Sequence, residues 1–376
     1  MGREESMGKT LARNRSFVMR WALPTIGLIT LSACTATDIS ATPYEKAEAA
    51  TIIATYSPPL PETWEWREAP FDDGTLRWGI ATAEEPKGTL LFLPGFSQFI
   101  ELEADLLTKW HAAGYTVVAL DLPGQGQSDG RQDYPTLPWS GDMSAYGDVI
   151  AAFAAGNLAD LPRPFIPIAY SFAGNAVLHA ITEETLTADA VVLMMPAFRV
   201  RTGPWPEFPA FPFLAVADGL GFGEALVPTS QEFRLDTELF SATPVCRFRP
   251  DRSYLTNAYF LTRPEYQVSP PTIAWVNGLE RSGYSFANTS ALEEVSVPIL
   301  TLIAGKDALI DNSRTRTICS SKLSNCTLIE FSEAGHCTYT EPDSHIQIVA
   351  DRVIRFADTL TQQDTASAES APETNQ

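Results

Sequence analysis

Short apolar runs, regularly separated by amphipathic stretches, constrain the fold of this chain more than any other feature. Residues 89–93 read Thr-Leu-Leu-Phe-Leu, 116–120 Thr-Val-Val-Ala-Leu and 190–195 Ala-Val-Val-Leu-Met-Met. None alternates polar with apolar, so each reads as a strand buried on both faces. Residues 76–80, 164–170, 298–304 and 327–331 read as further strands. The intervening segments 98–113, 142–155 and 172–182 have helical spacing, the first stopping at Gly114, and a last helix is expected over 342–360. Strand–helix alternation of this kind builds an α/β architecture, a mostly parallel, doubly wound sheet covered on both faces. At 376 residues the chain suits one large domain with an insert, or two domains, and its 45% apolar content excludes global disorder. No internal repeat is found.

One region breaks the rhythm. Residues 199–295 hold 15 aromatics and ten prolines, densest from Trp205 to Phe213. This stretch reads as an aromatic-rich cap inserted between two strands of the sheet. Most of its aromatics should form the cap's own core, and a few should face a pocket, because insertions at strand carboxyl ends carry binding surfaces. The expected organisation is a signal segment over 1–33, a tether over 34–60, core over 61–198, cap over 199–295, core again over 296–360, and a disordered polar tail over 361–376.

The N-terminus reads as an address. Arg13, Arg15 and Arg20 precede an apolar stretch from Trp21 to Leu31, which is too short to span a bilayer. The stretch ends in Leu31-Ser32-Ala33-Cys34, which resembles a bacterial lipobox. That resemblance implies lipidation at Cys34, and an exported, membrane-anchored lipoprotein in the periplasm or at the cell surface. An ordinary signal peptide with an incidental cysteine is the alternative. Acyl chains contribute about 0.8 kcal/mol per buried CH₂, enough to hold an acidic protein on a membrane.

The charge is −20, from 26 basic and 46 acidic side chains. That field repels phosphates, so no nucleic-acid partner is expected, and no protein partner is predicted. Apart from Cys34, the cysteines are Cys246, Cys319, Cys326 and Cys337, an even number in an exported chain. At least one bridge is expected. Cys319 with Cys326 and Cys246 with Cys337 is one of three pairings, and spacing does not choose among them. No cysteine or histidine cluster has metal-ligand spacing, and no metal or cofactor is expected.

The sharpest chemical signal is Ile168-Ala-Tyr-Ser171-Phe-Ala-Gly174, between an apolar strand and an apolar helix. A strained strand-to-helix turn there exposes the serine hydroxyl and demands small residues two places before and two after. Ala169 and Ala173 meet that demand where glycines are usual. A serine needs a base, and the base needs an orienting acid. Strand-end loops later in the chain supply Asp307 and then His336, so Ser171 is the expected nucleophile, His336 the general base and Asp307 the acid. Asp311 competes as acid but reads as the N-cap of the next helix. Glu333 reads as a surface loop residue, and His111, His179 and His345 as structural. The backbone N–H groups of Phe96 and Phe172 are the expected oxyanion donors, with Gly95 letting the backbone come close.

The segments Leu93 to Glu101, Asp121-Leu-Pro-Gly-Gln-Gly-Gln-Ser-Asp-Gly130 and Ala169 to Gly174 resemble the bacterial lysophospholipase and monoacylglycerol lipase branch of the α/β hydrolases. The similarity extends to the cap segments Leu261 to Tyr266 and Pro271 to Val276, and covers roughly residues 60–360. It implies the α/β-hydrolase fold, the same roles for Ser171, Asp307 and His336, and ester hydrolysis on single-chain lipids. Tyr170, Phe172 and Ala173 depart from the family's histidine, methionine and glycine, and the two rings are expected to narrow the acyl site. The expected substrate is a lipid or small ester. A peptidase or amidase on the same triad is the second reading, with Glu207 or Glu224 to hold a substrate amine. An anchored lipid-binding protein without catalysis is the third.

Overall fold

Alternating side-chain directions along the apolar strands divide the core into two layers. The computed structural model describes residues 43–72, 74–202, 206–228 and 249–369. Its strands are β1 (Glu65–Phe71), β2 (Gly74–Ala81), β3 (Thr89–Leu93), β4 (Thr116–Leu120), β5 (Phe165–Tyr170), β6 (Val191–Met194), β7 (Ile299–Ala304) and β8 (Cys326–Phe331). They form one sheet in the order β1-β2-β4-β3-β5-β6-β7-β8. The β1–β2 and β2–β4 pairs are antiparallel, and every pair from β4 to β8 is parallel.

Along β3, Leu91 and Leu93 enter one layer while Leu90 and Phe92 enter the other. The first layer packs helices α3 (Met143–Asn157) and α4 (Phe172–Thr182) through Ile150, Phe153, Ala176 and Val177. The second packs α2 (Ala104–Ala112) and the last helix, Asp343–Glu369, through Leu107, Trp110, Val349 and Val353. A strand with buried side chains on both sides is what continuous apolar runs require. The chain therefore has the mostly parallel, doubly wound α/β architecture expected from its sequence.

Between β6 and β7 lie α5 (Glu207–Ala217), the short α6 (Pro250–Ser253), α7 (Leu255–Thr262) and α8 (Ile273–Asn288). Thr272 caps α8, its hydroxyl accepting the Trp275 N–H at 3.3 Å. Helix α5 packs on α8, and α8 in turn rests on α3 and α4. Helix α9 (Asn312–Ser321) and the final helix, α10, complete the set.

Three helical elements differ from the sequence reading. Helix α1 (Pro43–Tyr56) lies inside the segment expected to be a tether. It folds because Ala49 and Ile52, one turn apart, bury themselves against Leu255, Ala258 and Tyr259 of α7. The helix expected from residue 98 opens instead with a 3₁₀ turn, Ile100–Glu103, before α2. Helix α10 runs to Glu369, past the boundary expected at 361, through alanines and glutamines that favour helix.

Cys319 and Cys326 form a disulfide from α9 to β8, with Cα atoms 5.3 Å apart. Cys337 is disulfide-bonded too. Cys246 lies outside the described residues, as do Cys34 and the expected signal segment. Among the described residues, no helix is long and apolar enough to cross a membrane.

Candidate active site

Parallel strands deliver their carboxyl ends to one edge of the sheet, and four of the resulting loops converge there. Strand β5 ends at Tyr170. Ser171 follows with φ 54° and ψ −118°, and α4 begins at Phe172. A non-glycine residue keeps such a conformation only when its surroundings fix it. Here the Ser171 N–H donates to Met194 O at 2.8 Å, and its carbonyl accepts from Gly174 at 3.0 Å and Ala197 at 2.9 Å. Ala169 and Ala173 are fully buried around the turn, where larger side chains would crowd it.

The loops after β7 and β8 bring Asp307 and His336 to this serine. His336 Nε2 lies 3.0 Å from Ser171 Oγ, and its Nδ1 lies 2.7 Å from Asp307 Oδ2. Asp307 Oδ1 is held by the N–H groups of Leu309 (2.9 Å) and Ile310 (2.8 Å). The acid thus keeps one oxygen for the imidazole, and Nδ1 donates to it. That tautomer leaves Nε2 as an acceptor for the serine proton. All three side chains are buried, where water does not compete for these bonds.

The loop after β3 supplies the fourth component. A Cβ on Gly95 would lie 3.1 Å from the Ser171 Cβ and 2.8 Å from Gln98 Oε1, so a side chain there would crowd Ser171 and push Gln98 aside. The Gly95 N–H is taken by Gln98 Oε1 at 3.0 Å. The N–H groups of Phe96 and Phe172 have no acceptor among the described residues. The rings of Phe96, Phe172 and Trp275 pack against one another, with Phe96 and Trp275 centroids 4.4 Å apart, and Phe172, expected to narrow the acyl site, is fully buried.

The competing residues go elsewhere. Asp311 caps α9, accepting the Ser313 N–H at 2.9 Å. Glu333 pairs with Lys306 on the surface. His179 bonds Ser282, His111 bonds Thr63, and His345 packs edge-to-face with Phe331, where burial lowers its proton affinity. Glu224 is ion-paired with Arg131 at 2.6 Å. Glu207 opens α5, and its side chain lies outside the described residues.

Two supports were not legible in the sequence. Tyr170, expected to narrow the acyl site, is fully buried; its hydroxyl donates to the His336 carbonyl and accepts the Thr338 N–H at 3.0 Å. Burial pushes its acidity far below that of an ordinary phenol, so it stays a donor. Glu341 accepts the Gly335 N–H at 2.7 Å and braces the other side of His336.

A family model described as "Serine aminopeptidase, S33" matches residues 84–343, more than two thirds of the chain and all of this site. The chain belongs to this S33 family of α/β hydrolases. Among solved structures, this S33 hydrolase is similar to a soluble variant of monoglyceride lipase from Saccharomyces cerevisiae. The TM-score is 0.59 at 12% identity, over 79% of this chain and 96% of the lipase. It is also similar to monoacylglycerol lipase from Paleococcus ferrophilus, with TM-score 0.53 and 17% identity over 79% and 99%. A carboxyl esterase from Bacillus coagulans superposes with TM-score 0.56 and 13% identity over 80% and 99%. Likeness at these identities speaks to the fold. A search of the curated proteins finds no match to the sequence.

Proposed function

We propose that this S33 hydrolase is a serine carboxylic-ester hydrolase that releases a fatty acid from a lysophospholipid or monoacylglycerol. The observation that carries the reading is the chain of contacts Ser171 Oγ–His336 Nε2 at 3.0 Å and His336 Nδ1–Asp307 Oδ2 at 2.7 Å. Ser171 Oγ attacks the ester carbonyl while His336 Nε2 takes its proton. The carbonyl oxygen gains negative charge and is received by the N–H groups of Phe96 and Phe172; one such donor contributes roughly 2.7–4 kcal/mol. The tetrahedral species collapses, His336 returns the proton to the leaving alcohol, and an acyl-enzyme remains. His336 then deprotonates a water that attacks the acyl carbon, and the fatty acid leaves with Ser171 restored. Asp307 holds the imidazole tautomer and stabilises its charged form.

Two features support a lipid substrate. Phe96, partly exposed and backed by the buried rings of Phe172 and Trp275, offers apolar surface in the loop beside the serine. On α5 and the turn after it, Phe208, Phe213, Val216, Leu220 and Phe222 stand exposed, Phe208 at 80% and Leu220 at 71%. An apolar face of that kind suits an enzyme working at a lipid surface. We also propose that the chain reaches that surface through acylation at Cys34, as an exported bacterial lipoprotein. Metabolic labelling with a fatty-acid analogue, lost in Cys34→Ala, is the expected result; an unlabelled wild type removes the anchor.

The family's description favours a second reading, removal of an amino-terminal residue by the same serine. That reaction needs a carboxylate to hold the amine, and Glu224 is already committed to Arg131. Product analysis on lysophospholipids, monoacylglycerols and aminoacyl amides separates the two. Fatty acid release from the lipids and none from the amides is expected, and the reverse pattern overturns the ester reading.

A further inference from the structure

The segment Asp121 to Gly130, which leaves the end of β4, takes no part in the chemistry above. Its side chains nevertheless grip the loop that carries Phe96. Gln125, 1% exposed, accepts the Ser97 N–H on its amide oxygen at 2.7 Å. Asp121, fully buried, accepts the Ile100 N–H at 3.1 Å on Oδ1 and the Arg77 guanidinium on Oδ2. Arg77 continues to Glu101, in the 3₁₀ turn after the loop, at 2.8 and 2.9 Å.

The N–H groups on either side of Phe96 are therefore both taken by glutamine oxygens, Gly95 by Gln98 and Ser97 by Gln125. The Phe96 N–H between them has no acceptor among the described residues. Ser97 has φ 62°, a left-handed conformation that a side-chain-bearing residue keeps only under constraint. Gln125 is itself rigid. Its N–H donates to Leu122 O at 2.9 Å and its carbonyl accepts from Ser128 at 3.0 Å. A Cβ on the next residue, Gly126, would overlap the Asp121 carboxylate. The amide orientation follows from the donor it faces, so Nε2 is left buried without a partner. A buried amide left half-satisfied is costly and calls for an explanation in what its oxygen does.

We propose that Gln125 is a positioning residue: through Ser97 it fixes the Phe96 N–H where the oxyanion forms, with Asp121 and Arg77 anchoring the far end of the loop. The assignment rests on the serine-esterase reading above. An oxyanion donor acts over a narrow range, and displacement by about 1 Å costs on the order of 100-fold in rate.

The test compares wild type, Gln125→Met and Gln125→Glu on a short-chain p-nitrophenyl ester, with a trifluoromethyl ketone as tetrahedral probe and a fluorophosphonate as covalent probe. Methionine keeps the length but has no acceptor; glutamate keeps the acceptor. Gln125→Met is expected to lose roughly 10- to 100-fold in kcat with KM within about threefold, and to lose ketone affinity in parallel. Gln125→Glu is expected to recover most of both. If Gln125→Met does not fold, Gln125→Asn, whose oxygen falls short of Ser97, carries the same expectation. Full kcat in the methionine variant, or equal losses in the methionine and glutamate variants, overturns the assignment. A wild type whose Ser171 resists the fluorophosphonate overturns the serine reading, and this assignment with it. Labelling of Gln125→Met at the wild-type rate overturns this assignment alone.

Discussion

The hydroxyl of Tyr170, the residue immediately before Ser171, donates to the backbone carbonyl of His336. The peptide unit preceding Ser171 is thus coupled to the loop that carries His336, across 166 positions of sequence. Tyr170 also receives the Thr338 N–H, so one buried phenol fixes two points of that loop. The spacing of serine and imidazole then depends on β5 and the histidine loop moving as one body.

Tyr170→Phe keeps the ring and removes both bonds. Leaving buried groups unpaired costs roughly 1–3 kcal/mol. The expected outcome is a melting temperature lower by several degrees and kcat lower by about tenfold, with KM little changed. Steady-state kinetics and thermal melting check it.

Asp307 and Asp311 both follow β7, but only Asp307 faces the imidazole; Asp311 caps α9. Asp307→Asn is expected to lower kcat by about 10⁴-fold, because the amide favours the wrong tautomer. Asp311→Asn is expected to change neither rate nor stability appreciably, since asparagine caps nearly as well as aspartate. Rates measured side by side decide the acid.

Glu103, the residue immediately before α2, is wholly buried, and burial followed by the neighbouring Asp105 pushes its carboxyl up to about 8 against the opposing pull of Arg252. The folded state therefore holds a proton that the unfolded chain releases near pH 4.5. Stability from this group is complete below that value and is lost as pH rises toward 8. Glu103→Gln, permanently neutral, should remove this loss. Its melting temperature should exceed that of wild type by on the order of 5 °C at pH 8 and by little at pH 5. Calorimetry across that range checks it.

What the sequence disclosed and what it hid follow from the range of the forces involved. Strands β3 to β6 were legible because burial on both faces demands continuous apolar residues. Ser171 was legible because the turn demands small neighbours, and Asp307 and His336 because they follow the ends of later strands. Strand β1 was not expected, since Glu65–Phe71 is mostly exposed and is held by its ladder to β2. Helix α1 was missed because, among its described side chains, only Ala49 and Ile52 are deeply buried, and their partners lie some two hundred positions away. Tyr170 acts on a backbone carbonyl, for which no residue pattern exists. Glu103 looks like any acid at a helix start until its burial is known.

The central claim is that Ser171 is a nucleophile activated by His336, and fluorophosphonate labelling with identification of the modified residue tests it most directly. Stoichiometric modification of Ser171 in the wild type, slowed by at least about 10³-fold in a folded His336→Ala, is the predicted result. Modification at another residue, or labelling of Ser171 at an undiminished rate without the imidazole, would contradict the account.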